Sequence, residues 1–132
     1  MGGQRRHPVG RQSVCPVFVD GHAMDASAYA PESLSGFVAA GAQMLLFSTG
    51  VGNSYVSQLS PTVKISANPQ ACRMLHQQLD FDASAVFEGR QPIEAAADAL
   101  LALVLEIASG TLTWGEVLGE GDEVVSRMGE AL

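Results

Sequence analysis

The chain alternates short apolar runs with clusters of glycine and small polar residues, and one long stretch of helical periodicity stands apart from them. VCPVFVDG, Val14 to Gly21, alternates and is rich in β-branched residues, which predicts a first strand. PESLSGFVAAGA, from Pro31, sets Leu34, Phe37 and Val38 along one side, with Gln43 extending the row, and predicts a short helix closed at Gly41. QMLLFSTG, Gln43 to Gly50, is a continuous apolar run ended by Ser, Thr and Gly, as expected of a strand buried on both faces of a parallel sheet. A polar loop, VGNSYVSQLS, leads to PTVKISAN, Pro61 to Asn68, a further strand with Val63 and Ile65 alternating. Asn68 then caps a helix whose first turn holds Pro69. LDFDASAVFEGR, from Leu79, reads as loop with one short helical turn. The strongest periodicity is in PIEAAADALLALVLEIASG. Ile93, Ala96, Ala97, Leu100, Leu101, Val104, Ile107 and Ala108 follow helical spacing between Pro92 and Gly110, which predicts a long helix packed on the sheet. TLTWGEVLG reads as a helical turn introduced by Thr113, and EVVSRMGEAL admits an edge strand or a frayed helix.

Strand, helix, strand, crossover, strand and long helix describe an α/β protein: a small layered unit with a mainly parallel sheet flanked by helices. Its length of 132 residues sets a single domain over residues 14–132, preceded by a flexible tail at residues 1–13. So thin a sheet leaves parallel edges open, which predicts a homo-oligomer or a partner segment.

Charge and cysteine content narrow the function classes. Fourteen acidic residues against seven basic ones leave a net charge of −7, and Arg5, Arg6 and Arg11 lie in the tail, so the domain has no basic face for nucleic acid. No apolar run approaches the ~18–20 residues of a membrane span, and the basic start lacks the apolar core of a secretory leader. A cytoplasmic protein with Cys15 and Cys72 as free thiols is the expectation, with a disulfide between them left open.

The loop STGVGN offers Ser48, Thr49, Gly50, Gly52 and Asn53 at the end of a predicted strand. Its backbone N–H groups, hydroxyls and amide suit a carboxylate or phosphate; the plainer reading is a turn that needs glycine for its backbone angles. His22, Asp25 and Glu32 could bind a divalent metal or move protons, or could be solvated loop residues with Glu32 favouring a helix start. Asp80 and Asp82 fit turn and cap roles better than a calcium loop. Lys64 could reach a carboxylate or extend to solvent from a strand edge, and His76 lies on a polar helix face. No nucleophile–base arrangement or metal-ligand spacing stands out.

The segments MDAS (Met24 to Ser27), GAQMLLFSTGVGN, PTVKISAN, LDFDAS and EIASGTLT occur in an order that resembles the carboxy-terminal end of the altronate/galactarate dehydratase family, which also includes the sulfolactate sulfo-lyase large subunit. The resemblance runs from Met24 to Leu132. It implies a Rossmann-like, three-layer catalytic domain, and chemistry in which a divalent metal, usually iron, assists the loss of hydroxide or sulfite from a hydroxy acid. It further implies that Asp25 and Glu32 fall on family-like positions near metal, that residues 48–53 hold a substrate carboxylate, and that Lys64 and Asn68 orient substrate. Where the family's loop normally reads FTTGRG, this chain has Ser48 and Val51; where the family reads MDTP it has Ala26 and Ser27; GEGD at Gly119 to Asp122 shortens a Gly-x-x-Glu pattern. The family's amino-terminal part has no counterpart in this chain. The resemblance thus implies a carboxy-terminal fragment or subunit of a hydroxy-acid lyase that works with a partner chain. A different class is also open: an inactive remnant serving as a self-associating binding or scaffold module.

Overall fold

A computed structural model describes residues 29–124. The predicted first strand at 14–21, His22, Asp25, Cys15 and the tail lie outside them. The elements, in chain order, are α1 (Ala30–Ala39), β1 (Leu45–Ser48), β2 (Thr62–Ser66), α2 (Pro69–Met74), β3 (Phe81–Asp82), α3 (Ser84–Phe87), α4 (Ile93–Ala108) and α5 (Trp114–Leu118). The strands form one parallel sheet in the order β1-β2-β3. The α/β class expected from the sequence is the class observed.

Burial explains why β2 is central. Val63 points to one face, and Thr62, Lys64 and Ser66 point to the other, yet all four are buried, because β2 has a strand on each side and chain above and below. The register runs Leu45↔Thr62 to Ser48↔Ile65 on one edge and Ser66↔Asp82 on the other. All three strands therefore end at one border of the sheet, where ligands of α/β proteins gather. Asn68 caps α2 as expected, its Oδ1 accepting the Gln70 N–H at 3.0 Å, with Pro69 in the first turn. Cys72 is a buried free thiol on this helix and His76 is exposed.

Three expectations need correction. The stretch from Leu79 is more ordered than loop: Phe81–Asp82 pairs with β2 as a third strand before the short helix α3. Two residues are too few to show alternation, so no strand signal was there to read. The long helix is present, with Pro92 and Gly110 at its ends, but its apolar positions do not all meet the sheet: Ala96 and Ile107 are buried while Ile93, Leu101 and Leu105 are 66%, 58% and 59% exposed. Periodicity reports an apolar arc, not how much of the arc finds a neighbour. Helix α1 ends at Ala39, short of Gln43, with Gly41 just past its end as expected.

Helix α5 begins at a reciprocal cap: the Glu116 N–H reaches the Thr113 hydroxyl at 3.4 Å and the Thr113 N–H reaches the Glu116 carboxylate at 2.8 Å. It is seated on the β1–β2 connection through Gly115, where a β-carbon would lie 2.5 Å from Val56 Cγ1. Asp80 fastens it to the sheet. One carboxylate oxygen accepts the Lys64 N–H at 2.7 Å, and the other accepts the Trp114 N–H at 2.7 Å. Asp80 and Asp82 are therefore connectors, the latter accepting the Ser84 N–H at 2.8 Å.

Candidate functional site

The two glycine- and asparagine-bearing bends that follow β1 and β2 meet. Asn68 Nδ2 donates to the Gly50 carbonyl at 2.7 Å, and the Thr49 N–H continues the ladder onto Ile65 O at 2.9 Å. Inside the first bend the Gly52 N–H is held by Thr49 Oγ1 at 3.1 Å, and Asn53 Oδ1 accepts the Tyr55 N–H at 2.9 Å. Gly52 adopts a φ of +92°, which favours glycine, and a β-carbon there would displace only the end of the Leu75 side chain, so it is the turn that asks for glycine. The plain turn reading of this glycine is thus true, without removing the anion-binding one. The N–H groups of Gly50 and Val51 donate to no atom of the described residues, and Ser48, Gly50 and Val51 are exposed. Backbone N–H groups without an internal partner, beside a side-chain hydroxyl, have the chemistry to receive a carboxylate.

Beyond Asn53 an open cleft of about 810 Å³ runs between Tyr29 to Pro31, Asn53 to Tyr55 and Gly119 to Asp122. Lys64 reaches toward this side from beneath. Its side chain is wholly enclosed, and Nζ donates to Glu120 Oε2 at 3.0 Å, while Glu120 itself lines the cleft. Of the two fates open to Lys64 in the sequence, reaching a carboxylate is the one realised; β2 is central, so there is no edge from which to reach solvent. Ser48, Thr49, Gly50, Gly52 and Asn68 gather at the bend, and Asn53 belongs to both bend and cleft. Glu32 is buried in the first turn of α1, beside Pro31 of the cleft wall, and Asp25 lies outside the described residues.

Two residues of this site escaped sequence reasoning, Glu120 and Glu123. The Glu123 carboxylate gathers Ser35 Oγ at 2.7 Å, the Gln58 N–H at 3.0 Å and the Ser57 hydroxyl. Ser35 Oγ in turn lies 2.9 Å from the Tyr55 hydroxyl. Burial opposes the charge on Glu123, but the hydrogen bonds from Ser57, Ser35 and the backbone of Gln58 outweigh it and hold the carboxyl below its usual range. Burial, with the nearby Glu123 and Asp122 charges, pushes the Tyr55 hydroxyl up. The segment 119–124 is thereby strapped across the cleft's rear wall by two carboxylates. The only signal in the sequence was a run of glycine and acid, which reads equally well as a solvated tail.

No three His, Cys, Asp or Glu side chains among the described residues come together to hold a metal ion. The described part therefore does not make a metal site by itself. Nor is any helix among the described residues long and apolar enough to cross a membrane.

The beta subunit of (2R)-sulfolactate sulfo-lyase from Chromohalobacter salexigens is 33% identical over 108 residues, which cover 82% of this chain and 28% of that subunit. The chain thus spans less than a third of the relative's length. The family model for the carboxy-terminal part of D-galactarate/altronate dehydratase matches residues 19–131, and the chain belongs to that family.

Proposed function

We propose that this domain supplies the carboxylate-binding part of a hydroxy-acid lyase site, completed by a partner chain carrying the rest of the catalytic unit. The observation that carries the reading is the Asn68–Gly50 bond. It locks two strand-end bends together at the border where the parallel strands end, and the Gly50 and Val51 N–H groups there donate to no atom of the described residues. A small hydroxy acid would rest its carboxylate on these groups and on the Ser48 hydroxyl, with Thr49 and Gly52 shaping the bend and Asn53 and Asn68 orienting the remainder. A sugar acid of the galactarate or altronate type, or sulfolactate as in the relative's name, fits this chemistry.

Elimination requires removal of a proton beside the carboxylate and departure of hydroxide or sulfite. Lys64, held by Glu120 under the cleft, is the proposed proton-handling group of this chain, and Asp25 is proposed to act on water or metal. A divalent metal, iron by family resemblance, would use Asp25 and Glu32 with further ligands from the partner. The described residues do not assemble that set, so the steps assigned to this chain are binding, orientation and proton handling. The protein is proposed to be cytoplasmic, in keeping with the free thiol of Cys72.

Isothermal titration with galactarate, altronate and sulfolactate, with and without ferrous iron, tests the reading. It is to be run on the chain alone and mixed with a chain carrying the family's upstream part. Heat of binding abolished by Asn68→Ala supports it; silence in every mixture defeats it.

A second reading has its own support. Val51 is 83% exposed at the place where the family carries arginine, and a valine there cannot grip a carboxylate by paired hydrogen bonds. A non-catalytic module that self-associates through the edge of β1, which pairs with no other strand than β2 among the described residues, would show tight oligomers and no ligand heat.

A further inference from the structure

Helix α4 is apolar on two sides. Ala96, Leu100, Val104 and Ile107 turn toward the rest of the domain, and Ala96 and Ile107 are buried. A second row, Ile93, Ala97, Leu101 and Leu105, each four residues from the last, lies on the outside, with its three large side chains more than half exposed. A helix with one solvent-facing side carries polar residues there; one apolar over so wide an arc is covered on both sides.

Charge decides what covers it. The outer row is edged by Glu94, Asp98 and Glu106, and α4 contains no lysine or arginine. Two copies of α4 laid antiparallel would set these acids against one another, and in either direction each copy brings the net charge of −7 of the whole molecule to the contact. We propose that the outer face of α4 docks a polypeptide other than a second copy of this chain, whose own apolar patch is rimmed by lysine and arginine. This surface needs no catalytic activity, so it stands or falls apart from the functional reading.

Two helical probe peptides test it on the full chain: one with a leucine stripe edged by lysine, the other with the same stripe edged by glutamate. Fluorescence anisotropy is expected to show the lysine-edged peptide binding at least about tenfold more tightly, a difference of about 1.4 kcal/mol. Leu101→Ser/Leu105→Ser keeps every charge and is expected to weaken that binding about tenfold or more, with far-UV circular dichroism unchanged. Glu94→Gln/Asp98→Asn/Glu106→Gln is expected to remove the preference between the peptides. Binding indifferent to the leucine substitutions, equal binding of both peptides, or no binding overturns the proposal. So does a sedimentation dimer dissolved by Leu101→Ser/Leu105→Ser, which would give the face to a second copy. Binding that appears only after residues 1–13 are deleted would give it to the chain's own basic tail, and would likewise overturn it.

Discussion

Lys64 and Glu120, far apart in the chain, meet at 3.0 Å, the lysine wholly enclosed and the glutamate 22% exposed. Removing one partner leaves the other charge in a site shaped for a pair. Glu120→Gln is expected to cost toward the lower end of the ~3–5 kcal/mol found for broken buried pairs, because Glu120 keeps some water. Lys64→Met/Glu120→Leu, which removes both charges, is expected to be less damaging than either single change. Urea unfolding followed by circular dichroism measures both; a double variant as unstable as the sum of the singles would refute the coupling.

Asn68 serves two masters, the α2 cap through Oδ1 and Gly50 through Nδ2. Asn68→Asp retains the acceptor and loses the donor, so it is expected to keep helix stability and weaken carboxylate binding. Asn68→Ala loses both, at about 1–2 kcal/mol. Equal ligand heats for wild type and Asn68→Asp would detach the bend from binding.

Acid unfolding is expected to pass through Glu123. Its carboxyl is held below the unfolded value, so its contribution is complete above the ordinary glutamate range of about 4.3 and is lost as pH falls through the lowered folded value. Asp82 acts in the same direction: burial opposes its charge, and the Ser84 and Cys72 hydrogen bonds overcome that opposition. Glu123→Gln is therefore expected to flatten the acid limb of a stability–pH curve while lowering stability at neutral pH. A curve parallel to wild type would place the acid sensitivity elsewhere.

Gly115→Ala is expected to destabilise by about 1–3 kcal/mol, since the added methyl meets Val56. Val56→Ala in the same molecule is expected to recover part of that loss, a non-additivity measurable in a four-variant cycle.

Val51→Arg restores the family's loop residue at an exposed position, so stability is expected to move by no more than about 0.5 kcal/mol. If residues 48–53 form a carboxylate cradle, affinity for a sugar acid is expected to rise about tenfold, read by titration calorimetry. An unchanged affinity favours the non-catalytic module.

Strands β1 and β2 were legible because each is a compact apolar run ended by glycine or asparagine, and α2, α4 and α5 because Pro69, Pro92 and Thr113 mark their beginnings. Ser48 to Asn53 were legible as site candidates from the same punctuation, whereas Asn68 was legible as a helix cap and gained a substrate role only through the family resemblance; the structure brings them to one border. Glu120, Glu123 and Asp80 were not. Each works through a partner distant in sequence, and no local pattern tells a carboxylate that reaches a buried lysine or a backbone N–H from one that faces water. The depth of Lys64 was hidden for a similar cause: β3, which shuts the far side of β2, is too brief to leave a pattern.

Asp80 holds the first residue of α5, Trp114, against the middle strand, and that residue is the molecule's one indole. The protein consequently carries an intrinsic optical gauge at the joint between its sheet and its carboxy-terminal strap. Tryptophan emission that shifts before ellipticity is lost would reveal the strap lifting while the sheet endures; simultaneous change would mean that the joint and the core come apart as one.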